Sequence, residues 1–475
     1  MLIISYPRDP DFAARWPGGF KLNPQLAQID ELLNDRKLIL LATNDLALSA
    51  PQALWNGRPS TPVVVTLRTA VARRLKDWSY RSAEEEINGS MQWRVFCALA
   101  DHRCPDHSTL QDREKLIRPA TLHRINDRVV RLGQQHGVSA GRKLRGDGSV
   151  TETNIHYPSD SSLLADSTRV LGRCLRTARD ILKPRSARQK LWLRDGHRQA
   201  AHLARRIGQQ LRGRRGEKSL TNKAKRDYRQ LVRLTARTVQ HAWQVHPLLV
   251  AAGSSQARML AASLAHYLPL VQIVIHQTTR RVLNAEQVPA AEKIVSLFEP
   301  HTAIIQRGKA RPHETEFGRK VWYSESDGGL ITRYALLQGN PPETNQWLPS
   351  IRQHAKLFGH PPDEATADRG VFSEDNVQQA KGLGVKRVAL PKPGAKSRAQ
   401  QRHESQPWFK AVLRWRNGIE GRISQLRRAR GLDRCLNHGE SGMERWLGWG
   451  VVANNLMVMA RTLTQRRRKS RRPAK

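Results

Sequence analysis

The order of strand-patterned and helix-patterned segments constrains this chain most. A β-prone run, Val150-Thr-Glu-Thr-Asn-Ile155, follows Gly146-Asp147-Gly148. It stands alone. After Pro158, helical apolar spacing takes over from about 162 to 298. Strand patterning returns only at 320–324 and 331–337, with Asp327-Gly328-Gly329 as the turn between them. A helix over 344–358 follows, and then a short strand, 364–367, that leads to Asp368. A helix over 373–382 has Ser373 as its cap, and a strand over 387–390 is ended by Pro391 and Pro393. A basic loop, 391–406, precedes a helix over 408–430 that Gly431 stops.

This order predicts a mixed α/β fold. It is the element order of an RNase H-like core with a large helical insertion between the first two strands. An all-helical region precedes it. Leu22-Asn-Pro-Gln-Leu-Ala-Gln-Ile has helical spacing behind an Asn23 cap, with Pro24 in the first turn. A helix over 63–78 carries Val64, Leu67, Val71 and Leu75 on one face, with Arg68, Arg73, Arg74 and Lys76 around it. The expected organisation is a helical DNA-binding domain over 1–140 and an RNase H-like catalytic domain over 141–430, with its insertion over about 162–298. A helical, basic tail over 431–475 completes it.

Charge narrows the partner. With 81 Lys+Arg against 41 Asp+Glu, the chain carries a formal net charge of +40. Double-stranded DNA is the expected partner, because phosphate contacts made by Lys and Arg supply most non-specific affinity. From Arg173 to Gln240 there are 21 Lys or Arg and 4 Asp or Glu. Such a run is either a solvated helical face or an insert that follows the DNA backbone, and the self-repulsion it carries favours the second. From Arg461 to Lys475, eight of fifteen residues are basic, which predicts a disordered phosphate-binding tail. No apolar run approaches the roughly 18 residues of a membrane span, so no membrane partner is expected. Cys97, Cys104, Cys174 and Cys435 form no CxxC pair, which argues against a zinc ribbon. Sparse cysteine and no N-terminal apolar segment predict a cytoplasmic, nucleoid-associated protein.

Three carboxylates stand out, each in a different element: Asp147 in the first strand, Asp368 at a strand end, and Glu420 on the last long helix. Converging from such elements, they can hold a pair of divalent cations, and that suits in-line displacement at phosphorus. Mg²⁺ fits hard oxygen ligands, and Mn²⁺ substitutes for it. Arg416, Glu420 and Arg427 fall on one helical face, where arginines can grip phosphates. A plain Arg416–Glu420 salt bridge is the alternative. Lys320 and Arg319 lie on a strand near the site and are further candidates for DNA contact. Taken singly, Asp147 could mark a turn, Asp368 a cap and Glu420 a surface residue.

Five blocks, taken together, resemble the bacterial insertion-sequence transposases of the DDE type, in particular the ISNCY-like branch. They are GRPSTPVVVTLRTAVARRLKDWSY, DGSVTETNIHYPSDSSLLADSTRVL, EFGRKVWYSES, ATADRGVFSEDN and the glutamate helix. Related enzymes carry Tyr-x2-Arg-x3-Glu-x6-Lys on that helix. Here Leu413 replaces the tyrosine, Arg416 and Glu420 match, and Arg427 replaces the lysine. The resemblance implies that Asp147 bridges two Mg²⁺ ions while Asp368 and Glu420 each complete one shell. It also implies that the chain binds its element's terminal inverted repeats, assembles as a dimer or larger on DNA, and joins element ends to target DNA. The alternatives are a non-catalytic DNA-binding protein derived from a transposase, and an RNase H-like nuclease that does not join strands.

Overall fold

The computed structural model describes residues 1–7, 21–49, 51–99, 101–183, 186, 192–212, 220–306 and 315–470. Parts of the basic stretch (184–185, 187–191, 213–219) and of the tail (471–475) lie outside the described residues. In chain order the helices α1 (Pro24–Leu33), α2 (Arg36–Ser49), α3 (Val63–Lys76), α4 (Tyr80–Gly89), α5 (Met91–Phe96), α6 (His107–Lys115) and α7 (Pro119–Gln135) come first. Strand β1 (Lys143–Thr153) follows, and then α8 (Asp160–Leu182), α9 (His197–Gln210), α10 (Asn222–Ala252) and α11 (Ser255–Thr278). Next come β2 (Ala303–Gln306), β3 (Thr315–Ser326), β4 (Ile331–Leu336), α12 (Trp347–Phe358), β5 (Glu364–Ala367), α13 (Glu374–Gly382) and β6 (Arg387–Ala389). The chain closes with α14 (Arg398–Ser405), α15 (Pro407–Arg416), α16 (Gly418–Ala429), β7 (Arg434–Cys435) and α17 (Glu440–Ser470). The fold is mixed α/β with a helical N-terminal region, as the pattern predicts. The residues form two units, Met1–Glu152 with Arg319–Lys475, and Thr153–Gly318.

In the first unit the sheet runs β3-β1-β5-β6, with β4 on β3 and β7 on β1. β1, β5 and β6 are mutually parallel, and β3 and β4 form an antiparallel hairpin. Alternation along β3 sends successive side chains to opposite faces. Trp322 packs with Leu144, Trp347, Ile351 and Val388, beneath α12 and α13. Val321 and Tyr323 pack with Leu426, Trp446 and Leu447, beneath α16 and α17. Helices therefore cover both faces, and Arg145 and Asp147 on β1 face away from Leu144.

The C-terminal segment is helical as expected, but the helix runs through 461–470, where the composition predicts disorder, and 471–475 lie outside the described residues. Trp449, Val452, Ala453, Leu456, Met459 and Ala460 of α17 belong to the core of the N-terminal bundle, and the helix continues to Ser470. Asn455 fastens it to the sheet, accepting from Ile331 N at 2.9 Å and donating to Ile331 O at 2.9 Å and to Asn126 at 2.8 Å. A helix anchored over its apolar half carries its basic end along with it.

The basic helix α3 differs from the amphipathic helix with an outer basic rim that its spacing predicts. Every residue from Val63 to Leu75 is buried, including Arg68, Arg73 and Arg74. Arg68 pairs with Asp30 and donates to Phe96 O at 2.6 Å. Arg73 donates to Glu114 through Nε at 3.0 Å and lies 4.2 Å from the Tyr80 ring. Arg74 lies 3.8 Å from the Trp446 ring and donates to Arg430 O, and burial pulls its pKa down to about 9. These cations staple the bundle internally; none is presented to a phosphate backbone.

Buried His354 on α12 donates from Nε2 to Gly141 O at 2.8 Å, at the entry to β1. Burial lowers its pKa to about 4, and the Gly141 bond only partly opposes this. The imidazole is thus neutral when folded and takes a proton when unfolded below about pH 6.5, so the unfolded state binds more protons. Stability should fall by about 3 kcal/mol as pH drops from about 6.5 towards 4. Urea melts at pH 7 and 4.5 check this. His354→Gln should flatten that slope, and an unchanged slope in the variant would sink the assignment.

In the second unit, α8 to α11 enclose a core of Leu164, Leu171, Leu175, Leu203, Ile207, Leu231, Leu249, Leu264 and Val271. Asp160 pairs with Arg281, and β2 pairs antiparallel with residues 315–318 of β3. Ser255–Leu283, with mean hydropathy 1.5, is long and apolar enough to cross a membrane, although no uninterrupted apolar run marks it. Its Ala257, Ala261, Leu264, Leu268, Val271 and Val274 form the stripe that faces this core.

Candidate active site

Gly146 pairs with Ala367 where β1 and β5 run parallel. The next residues, Asp147 and Asp368, therefore leave the two backbones side by side, where that pairing ends. The Gly-Asp-Gly segment is strand interior, not a turn, because its neighbours press on it. A Cβ at 146 would overlap the Trp322 ring, and one at 148 would overlap the Glu343 carboxylate. Asp368 makes no side-chain cap bond. Its Oδ1 lies 3.4 Å from Arg416 Nη2, and Asp147 Oδ2 lies 3.4 Å from the same nitrogen. One guanidinium is thus shared by two carboxylates. Asp147 and Arg416 are 17% and 13% exposed, against 48% for Asp368, so the pair has a dry side and a wet side.

Burial pushes the Asp147 carboxyl up to about 6; Arg416 opposes that rise, Glu343 adds to it, the Gly148 N–H opposes it, and Asp368 adds to it. Glu343, in the first turn ahead of α12, was not anticipated from the sequence. It follows two prolines at a helix start, and nothing in that local pattern says that it faces Asp147. Lys320 donates to Glu343 Oε1 at 3.0 Å and to Pro341 O at 3.2 Å, so it balances this carboxylate at the edge of the site.

The other predicted residues lie apart from the pair. The expected single helix over 408–430 breaks at Asn417, which separates Arg416 on α15 from Glu420 and Arg427 on α16. Gly418 is a poor helix former, and the Arg145 guanidinium occupies the place a Cβ would take there. Glu420 is exposed in the first turn of α16 without an ion-pair partner among the described residues, and the Arg416–Glu420 bridge is not made. No group of three or more His, Cys, Asp or Glu that could hold a metal occurs among the described residues. Arg427 donates from Nε to Asp433 at 2.6 Å. Arg319 is 2% exposed and is bound to Leu337 O at 2.8 Å and Glu440 at 2.9 Å, so it is a structural side chain rather than a surface cation.

A second ion cluster holds the break in place. Fully buried Glu325 on β3 accepts from Arg145 at 2.8 and 2.7 Å and from Arg422 at 2.9 Å. Arg145 also donates to Trp415 O and lies 4.6 Å from the Trp415 ring. Four elements, β1, β3, α15 and α16, are thereby tied together one residue from Arg416.

Asp147 and Asp368 offer hard oxygen donors around a common cationic group, the Arg416 guanidinium. These two residues fit a divalent ion as a partial ligand set, with water and phosphate oxygens to complete it.

Residues 20–115 match the family described as Transposase domain (DUF772), a span that covers α1 to α6 and stops short of the sheet. That match supports a transposase-related function. No curated protein and no solved structure matches the chain.

Proposed function

We propose that the chain is a DDE-type transposase that binds the terminal inverted repeats of its insertion sequence and cuts and joins DNA with Mg²⁺. The observation that carries this reading is the Asp147–Asp368 pair around one guanidinium, where the parallel pairing of β1 and β5 ends and Asp368 follows the carboxyl end of β5. Ligands of open α/β sheets gather outside the carboxyl ends of such strands. The transposase-domain match and the net charge of +40 support it. The mixed sheet, with β1, β5 and β6 parallel and β3 and β4 a hairpin, supports it as well.

In this reading Asp147 and Asp368 hold the metal, and Glu420, at the joint beyond Asn417, is the third carboxylate. Two bound divalent ions would activate the attacking oxygen and stabilise the leaving one. Arg416, held between the aspartates, would counter the charge of a phosphate oxygen beside the scissile bond if divalent ions took its place on the carboxylates. Water first displaces the element's 3′ oxygen from phosphorus; that 3′-OH then attacks a target phosphodiester and releases another 3′-OH. Pairing two ends requires at least a dimer on DNA.

The position of Glu420 outside the pair favours a second reading, a DNA-binding protein without catalysis. One experiment separates the two. A plasmid carrying the element's ends is incubated with Mg²⁺ or Mn²⁺ and either wild type or Asp368→Ala. Metal-dependent cleavage at the ends, lost in the variant while DNA binding remains, is the expected result. Binding without cleavage under either metal would select the second reading.

A further inference from the structure

We propose that one face of α10 is a track for the phosphate backbone of duplex DNA, carried by Arg226, Arg229, Arg233 and Arg237. The proposal rests on the transposase reading only in taking DNA as the polyanion. All four arginines are exposed. Their spacing of three, four and four residues confines them to one narrow stripe at 100° per residue. The opposite face packs Ala224, Tyr228, Leu231, Thr235, Val239 and Ala242 into the core of the unit, so the stripe is locked outward.

What separates this stripe from an ordinary solvated face is the lack of counter-charge. Among the described residues none of the four has an ion-pair partner, whereas neighbouring arginines do: Arg169 with Asp166, Arg176 with Asp195, Arg206 with Asp227. Asp227, the acidic residue of α10, is buried and spent on Arg206. Like charges at i,i+4 repel each other on a helix. Here 229/233 and 233/237 are both such pairs, and a polyanion would relieve them. The stripe is about 16 Å long at 1.5 Å per residue. A DNA strand offers a phosphate about every 3.4 Å of axis, so each guanidinium can take its own phosphate, bidentately. A membrane surface fits less well: an interfacial helix turns an apolar face to lipid, and the apolar face of α10 is already buried.

The test is anisotropy of the full-length chain on a labelled random-sequence duplex across a salt series. The variant carries Arg226→Gln, Arg229→Gln, Arg233→Gln and Arg237→Gln, with circular dichroism to check its fold. Each phosphate contact adds about 0.9 to the slope of log affinity against log salt. The fourfold variant should therefore lose about 3 to 4 from that slope, and the fourfold Arg→Lys variant should keep it. An unchanged slope in the Gln variant overturns the track. So does a variant that keeps DNA binding but loses binding to phosphatidylserine vesicles, which would assign the stripe to a membrane. If wild type binds no duplex, the track and the transposase reading fall together. If wild type binds and cleaves element ends while the slope stays put, only the track falls.

Discussion

Asp147→Asn should abolish strand cleavage and, without metal, make the chain more stable at neutral pH. If Asp147 holds a metal as proposed, its loss removes several kcal/mol of transition-state stabilisation, or roughly a thousandfold in rate. Stability moves the other way because burial raises the native carboxyl pKa to about 6, above its ordinary 3.8. The folded state therefore keeps a proton that the unfolded state gives up between those values. Stability is lost as pH rises through 6, by up to about 3 kcal/mol. Asparagine, like the protonated acid, carries no charge to desolvate, so a net gain of up to about 3 kcal/mol is expected at pH 7.5. The gain should shrink towards pH 4. Thermal melts in EDTA at both pH values read the stability, and the plasmid assay reads the chemistry. A variant that still cuts at the wild-type rate removes Asp147 from the site.

Glu325→Gln should destabilise the chain by about 3–5 kcal/mol, the usual effect of removing one partner from a buried ion cluster. Arg145 and Arg422 would remain largely buried, at 10% and 18% exposure, with no carboxylate between them. The loss should reach the site as well, because Arg145 fixes Trp415, and Arg416 follows it in the chain. Replacing all three, as Glu325→Leu with Arg145→Met and Arg422→Leu, removes the buried charges together and should recover much of the stability. Cleavage should not return, since nothing then sets the joint at Asn417. Urea midpoints of the two variants test the first part. Equal midpoints for wild type and Glu325→Gln would show that the cluster contributes nothing.

Much of the local structure was legible. The Asn23 cap accepts from Gln25 N at 2.9 Å, and the Ser373 cap accepts from Asn376 N at 3.0 Å, each at its expected place. The strand leading to Asp368 ends where its pattern ends. Other segments misled, for identifiable reasons. The loop expected over 391–406 contains α14, since Ser397 caps Gln400 and Glu404 accepts from Lys392 N and Gln400. The arginines of α3 lie on positions that read as a basic rim, yet Asp30, Glu114 and Trp446 wait for them from other elements.

The sequence by itself determined the order of the main elements, several caps, the strand that carries Asp147, the strand end before Asp368, and the excess of positive charge. Those features depend on residue periodicity and on side-chain bonds that span a few positions. Only the tertiary structure decided which charges meet: Arg416 with the two aspartates, Lys320 with Glu343, Glu325 with Arg145 and Arg422, and α17 inside the N-terminal bundle. An ion pair or a buried face depends on where distant segments come to rest. The same arginine is a staple beside a buried carboxylate and a candidate phosphate contact without one.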